Sequence, residues 1–231
     1  MYSSLVYKDY RLLRHYLIGL AFVVLGCYTG LAWGMNHLLE YNAFSPNTRL
    51  AVVLSGSSYC SFLCSFFLFA IIAGNTFAQE RQDRSCEFMD ALPPNRIQRC
   101  VSKAIVVIVP LLITVAINIL VALVATRLAV EEAMADRVIP MEVVWDIVFL
   151  LLGSVGIGWC ISSMSTGTGA PILLGLVSPL LIMYVVFLVN YLLGYETKNF
   201  ELLHQSGRAG LVIGVIGFLV GSLWFVREGR A

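Results

Sequence analysis

Serine and histidine side chains are the first candidates for chemistry, because a serine nucleophile needs a base within hydrogen-bond reach. Ser57 and Ser58 lie in the stretch SGSSY, inside a long apolar run. The three histidines are His15, His37 and His204, and each lies near the end of an apolar run rather than at the depth of those serines. The pattern therefore argues against a serine hydrolase, and against haem bound by buried histidines.

Acidic and thiol pairs do not complete a catalytic or metal site either. Glu131 and Glu132 with Arg137 resemble the EExxxR motif of CAAX-type membrane proteases, but the spacing is one residue too long. Cys60 and Cys64 are four residues apart, with no histidine or further cysteine beside them, so they are predicted to be small packing residues. No catalytic residue, bound cofactor or metal ligand is predicted, and an intramembrane enzyme remains only as an alternative.

The composition predicts a protein embedded in a lipid bilayer. Hydrophobic residues make up 59% of the chain and charged residues 13%, with a mean hydropathy of +0.84. Soluble domains carry about 25% charged residues. A net charge of +1 gives no attraction to nucleic acid. The six cysteines lie in apolar runs or in one charged stretch, so we expect free thiols rather than a disulfide framework.

Six stretches are long enough to cross a bilayer, which takes about 20 apolar residues. The uncharged run 147–195 would be about 73 Å long as one helix, more than twice the bilayer core, so it must fold back at residues 162–171. The predicted spans cover about 16–35, 50–77, 97–126, 143–162, 171–194 and 209–226.

The distribution of basic residues predicts the orientation. With both termini in the cytosol, the inner segments hold ten Lys and Arg residues and the outer loops five, as the positive-inside rule requires. Residues 3–15 carry Lys8, Arg11 and His15 on one side, which fits an interfacial helix before the first span or a simple basic anchor. We predict an all-α, multi-pass protein of a bacterial cell membrane.

Residues 80–96 hold seven of the 29 charged residues and lie between spans two and three. Ser85 can cap a short amphipathic helix, which the two following prolines would end, so a helix is predicted over about 80–92. Asn95, with Gln98 three residues later, is a variant of the capping box and would start the next helix. The mixed-sign charges favour docking on a cytosolic protein over resting on lipid headgroups.

This stretch resembles the segment after the second span of ABC transporter type-2 permeases. That segment has an acidic-basic run, a small-polar pair, Glu, two apolar residues, and a Leu-Pro-x-x-Arg ending ahead of a Lys. Arg84 stands where the family usually has glycine. The matching positions are Glu80, Glu87, Phe88, Met89, Leu92, Pro93, Arg96 and Lys103.

The resemblance implies that residues 80–92 form the coupling helix, which docks on a separate ATP-binding subunit. The chain has no GxxxxGK[ST] sequence, so ATP and Mg would be bound by the partner. Two copies of the chain with two ATPase subunits would export a small hydrophobic or amphipathic compound by alternating access. An ATP-independent secondary transporter is the alternative. The docking residues implied are Glu80, Arg84, Glu87, Phe88, Met89, Asp90, Leu92 and Arg96.

Small residues form a stripe along span six at alternating spacings of three and four. Such stripes let helix backbones approach closely. The stripe could serve packing within one subunit or a dimer contact. Its members are Gly207, Gly210, Gly214, Gly217 and Gly221.

Polar residues in spans two and five are candidates for a translocation path, where the family resemblance places one. Ser58, Ser61 and Ser65 share a face of span two, although serines in a helix also bond back to carbonyls one turn earlier. Tyr184, Phe187 and Asn190 lie in the outer half of span five, and Asn190 could instead cross-link helices.

Overall fold

The structure is a computed structural model, which describes residues 2–39, 45–82, 95–131, 139–193 and 199–227, and all regular elements among them are α-helices. Each helix contains a stretch long and apolar enough to cross a membrane. This confirms the predicted all-α architecture with six membrane-crossing helices. The helices are α1 (Tyr2–Leu39), α2 (Pro46–Gln82), α3 (Arg96–Glu131), α4 (Met141–Met164), α5 (Gly169–Leu192) and α6 (Asn199–Arg227).

Successive helices run in opposite directions across the bundle. Lys8 near the start of α1 contacts Glu80 near the end of α2. Arg96 at the start of α3 contacts Phe225 near the end of α6. We call this end of the bundle, where α1 begins and α6 finishes, the terminal end. The other is the opposite end.

The helix starts follow the capping chemistry of the sequence. Ser45 precedes α2 and its hydroxyl accepts a hydrogen bond from the Thr48 N–H at 3.2 Å. At the start of α3 the Asn95 N–H donates to the Gln98 side chain at 3.2 Å, which is the carboxamide half of a capping box. The predicted helix start at Asn95 is therefore confirmed.

Residues 3–15 do not form a separate interfacial helix, because α1 continues without a break from Tyr2 to Leu39. Leu5, Asp9 and Leu13 are buried, so one side of this segment packs on the neighbouring helices. No glycine or proline precedes Gly19 to interrupt the helix.

Helices α2 and α4 form the centre of the bundle. In their apolar stretches 61% and 67% of the residues are buried, against 11–28% in the other four helices. Trp159 of α4 is fully buried and meets Phe77 of α2 edge-on, with ring centroids 4.7 Å apart. The other four helices turn most of their apolar surface outward, as expected where lipid is the solvent.

The glycine stripe of α6 lies against the backbone of α4. A Cβ at Gly217 would stand 2.8 Å from the Gly156 carbonyl oxygen, and one at Gly221 would stand 2.8 Å from the Cys160 Cα. Gly214 is also in contact with the α4 backbone, and Gly207 and Gly210 complete the row. The stripe thus serves packing within one protomer.

We expect Gly214→Ala to destabilise the protein by about 1–3 kcal/mol, because a methyl group has no room against the Leu152 carbonyl and must push α6 from α4. Gly26→Ala in α1 is the matched control, since nothing lies within 4 Å of its Cβ position. Thermal unfolding in detergent measures both variants. Equal melting temperatures would contradict the close approach of α4 and α6.

Candidate functional site

Two lysines hold one buried carboxylate at the terminal end. Lys8 Nζ of α1 lies 2.8 Å from Glu80 Oε1, and Lys103 Nζ of α3 lies 3.0 Å from Glu80 Oε2. Glu80 is in the last turn of α2. One carboxylate therefore joins three helices through charge-assisted hydrogen bonds, which are stronger than neutral ones.

Asp9 supplies the second negative charge. Its Oδ1 lies 3.6 Å from Lys103 Nζ, and its Oδ2 accepts a hydrogen bond from the Ser102 hydroxyl. Lys103 also donates to the Thr76 carbonyl at 2.8 Å. We define the ionic cluster as Lys8, Asp9, Glu80 and Lys103, in which two ammonium groups face two carboxylates.

The cluster is unusual because most of it is buried. The side chain of Lys103 is 3% exposed and those of Asp9 and Glu80 are 7% exposed, whereas Lys8 is 34% exposed. Moving an ionised side chain out of water costs on the order of several kcal/mol, unless a nearby partner compensates its charge. Lys103 is therefore the buried partner that both carboxylates share.

The cluster lies at the base of the segment that the sequence identified for docking. Glu80 is two residues before the end of α2, and α3 begins at Arg96. Residues 83–94 between them lie outside the residues that the structure describes. The predicted docking residues among them are Arg84, Glu87, Phe88, Met89, Asp90 and Leu92.

Two arginines on either side of that segment contact the rest of the bundle. Arg81 donates to the Ser165 carbonyl, between α4 and α5, at 3.2 Å. Arg96 donates to the Phe225 carbonyl near the end of α6, with 3.5 Å between the atoms. Together with the ionic cluster, these contacts connect the ends of all six helices or their loops at the terminal end.

A hydroxyl group of α4 bonds to the backbone of α2 just before the cluster. Ser162 Oγ accepts from the N–H groups of Phe77 and Ala78, both at 3.1 Å, and donates to the Gly74 carbonyl at 2.7 Å. This serine therefore ties α4 to the backbone of α2, which is α-helical throughout Pro46–Gln82.

The serine face of α2 is directed into the protomer. Ser58, Ser61 and Ser65 are buried. Ser58 Oγ donates to the Asn118 carbonyl of α3 at 3.0 Å, and Ser65 Oγ bonds back to the Ser61 carbonyl at 2.6 Å. Tyr28 of α1 covers the same region and donates to the Asn118 side chain at 2.7 Å.

The residues predicted on span five have a different environment from those serines. Tyr184 and Phe187 are 61% and 48% exposed on α5. Asn190 is buried and donates to the Gln205 side chain of α6 at 2.5 Å, so it cross-links two helices. The structure does not bring the serines and the aromatic residues onto one wall within a protomer.

Sequence reasoning missed two functional groups. Asp9 is buried in the ionic cluster, and the available signal was that it is the only acidic residue among the first 39. Asp146 is buried, and its Oδ1 lies 3.0 Å from His204 Nδ1 at the opposite end. In both cases the partner is distant in the sequence.

We expect Lys103→Met to destabilise the protein by about 3–5 kcal/mol, because it removes a buried cation that lies 3.0 Å from the Glu80 carboxylate and 3.6 Å from the Asp9 carboxylate. Lys8→Met removes a cation that is 34% exposed, and such surface pairs contribute about 0–1 kcal/mol. Thermal unfolding compares the two variants. A similar loss in both would show that burial of Lys103 does not set the energy of the cluster.

We expect Ser61→Trp to lower the melting temperature sharply, because the side chain of Ser61 is fully buried and a large ring has no space there. Tyr184→Trp is the matched control on the exposed face of α5 and should leave the melting temperature unchanged. A stable Ser61→Trp variant would indicate a cavity beside α2.

A comparison with known families gives a result in agreement with this architecture. A family model described as ABC-2 family transporter protein matches residues 11–181. The match includes all of α2, α3 and α4, and two members of the ionic cluster, Glu80 and Lys103. No curated protein matches the chain significantly. No solved structure does so either. Because the match covers most of the chain, the protein belongs to the ABC-2 transporter family.

Proposed function

We propose that the chain is the permease subunit of an ATP-driven transporter, and that residues 80–92 dock on a separate ATPase subunit on the cytosolic side. The family assigns the chain to the membrane component of an ABC transporter, which works with an ABC ATPase. The observation that carries the docking proposal is the ionic cluster, since it anchors both ends of the docking segment in the bundle. A segment that receives a push must be held rigidly at its base.

The contacts suggest how a push would be transmitted. A displacement of residues 83–94 enters the bundle through Glu80 and Lys103, and the cluster carries α1 along with α2 and α3. Arg81 and Arg96 deliver the same displacement to the loop after α4 and to α6. ATP binding by the partner would thus move the helix ends together, which is the requirement for alternating access.

The proposed assembly is a homodimer with two ATPase subunits in a bacterial cell membrane, with both termini in the cytosol. Exposed aromatic residues on α5, among them Tyr184, Phe187 and Tyr191, provide a surface for the second copy or the wall of a path at the two-fold axis. The apolar character of this surface supports export of a hydrophobic or amphipathic compound.

We expect Glu87→Arg and Phe88→Asp each to abolish co-purification of the ATPase while the permease still inserts into the membrane. The first inverts a charge on the docking face, and the second places a charge on its apolar side. The measurement is the amount of ABC ATPase recovered through a tag on the permease, for each variant and for the unaltered protein, from the cells that produce both.

Glu201→Arg is the matched control, because Glu201 is exposed near the start of α6, at the opposite end. It should retain the ATPase. Undiminished recovery with both Glu87→Arg and Phe88→Asp would refute the docking assignment.

A further inference from the structure

A groove of about 600 Å³ runs between α1 and α3 near the terminal end of the bundle. Its walls are apolar apart from tyrosine hydroxyls, and it opens outward, since Tyr10 and Val109 on its two sides are 46% and 47% exposed. Both walls belong to stretches able to cross a membrane, so lipid rather than water borders the opening. The lining includes Val6, Tyr10 and Leu17 of α1 and Val106, Val109 and Pro110 of α3.

The groove has the length of one lipid leaflet. Its α1 wall extends from Val6 to Leu17, which is about 16 Å at a rise of 1.5 Å per residue. The hydrocarbon core of a bilayer is about 30 Å thick, so one leaflet takes about half of that. Tyrosines are typical of the membrane–water interface, and Tyr7 and Tyr10 lie at the end of the groove that faces the terminal end. An acyl chain with its headgroup at the terminal end therefore fits along the groove.

Two arginines of α1 lie beside the groove. Arg14 follows Tyr10 by four residues and precedes Leu17 by three, so it shares their side of the helix. Arg11 is likewise four residues after Tyr7. Both arginines are exposed, and neither has an ion-pair partner among the residues that the structure describes. Side chains of a helix tilt toward its N-terminus, which directs both guanidinium groups toward the headgroups at the terminal end.

The charges select an anionic headgroup. A guanidinium group binds a phosphate through two parallel hydrogen bonds. A zwitterionic headgroup cancels its phosphate with an amine, whereas an anionic headgroup keeps a net negative charge that basic residues attract. The only acidic residue of α1 is Asp9, which is buried in the ionic cluster and does not neutralise the exposed arginines. The pair of arginines thus complements one anionic lipid.

The same charges disfavour a second copy of the chain as the occupant of the groove. A two-fold contact places the same patch of both copies in one interface. It would bring two further arginines to this surface and no carboxylate from α1, and like charges facing each other are destabilising.

We propose that the groove between α1 and α3 binds one anionic phospholipid, with its phosphate on Arg11 and Arg14 and one acyl chain along Tyr10, Leu17 and Val109. The site adjoins the ionic cluster, because Tyr10 follows Asp9 directly and Ile105 of the lining follows Lys103 by two residues. The lipid would hold α1 against α3 beside the cluster. The proposal requires neither an ATPase partner nor a given orientation of the chain in the membrane.

The test is native mass spectrometry of the full-length protein, released from detergent that contains equal amounts of phosphatidylglycerol and phosphatidylcholine. The unaltered protein should retain one phosphatidylglycerol per chain, in at least tenfold excess over phosphatidylcholine. Replacing both arginines, Arg11→Gln with Arg14→Gln, should reduce this retention at least tenfold, since each basic residue near an anionic surface contributes about fivefold. Arg227→Gln is the matched control and should retain the lipid, because it removes an exposed arginine of the terminal end from α6, which does not line the groove.

A second pair of variants tests the acyl-chain part of the site. Val109→Trp fills the groove with a ring and should remove the retained phosphatidylglycerol. Val124→Trp is its control, because Val124 is a similarly exposed residue of α3 outside the groove. Phosphatidylglycerol should raise the melting temperature of the unaltered protein and of Val124→Trp, but not that of Val109→Trp, because a ligand of the folded state stabilises it.

Three results would overturn the proposal. Equal retention of the two lipids by the unaltered protein would indicate ordinary lipid packing. Undiminished phosphatidylglycerol on the folded double arginine variant, or on folded Val109→Trp, would place the lipid elsewhere. A dimer of the chain that Val109→Trp dissociates and Val124→Trp does not would assign the groove to a second copy.

Discussion

The Lys103 ammonium group is the point on which the terminal end of the bundle depends. It is 3% exposed and lies near the Glu80 carboxylate, the Asp9 carboxylate and the Thr76 carbonyl. A charge at that depth is tolerated only where partners replace water. Because these partners belong to α1 and α2 while Lys103 belongs to α3, one requirement for charge balance fixes three helices relative to one another.

The pairing of α4 with α6 has a different basis, because it depends on glycines, which have no side chain to hold the two backbones apart. Glycines face each other across the contact, as Gly153 with Gly210 and Gly156 with Gly214. Backbone groups then approach closely enough for Cα–H···O contacts. Because lipid tails are as apolar as the helix surface, the two helices are held together by dispersion over a long contact and not by the hydrophobic effect. Side chains then fix the register of the pair, since Trp159 of α4 stacks on Phe218 and donates to Ser222 of α6.

The sequence predicted helices, faces and caps better than it predicted which faces meet. The Asn95–Gln98 cap and the glycine stripe are local patterns, so their spacing was sufficient to identify them. The serine face was equally clear, yet its direction depends on how α2 is rotated in the bundle, and that is set by α1 and α3.

Local sequence patterns could not predict which residues distant in the chain contact one another. Asp9 lies among basic residues, and nothing near it in the sequence indicates that Lys103 pairs with it or that Ser102 donates a hydrogen bond to it. Cys27 joins Cys60 for the same reason, because α1 packs along α2. A polar or thiol side chain in an apolar helix marks a contact, and only the packing identifies the partner.

If residues 80–92 dock on an ATPase as proposed, α2 is the helix that links the ionic cluster to the α4–α6 pair. Its last turn holds Glu80 of the ionic cluster, and one turn earlier its backbone is bridged by Ser162 of the α4–α6 pair. These three hydrogen bonds of Ser162 couple α4 to α2, and the glycine contacts couple α6 to α4. A push that reaches Glu80 would therefore act on α1 and α3 through the ionic cluster and on α4 and α6 through Ser162.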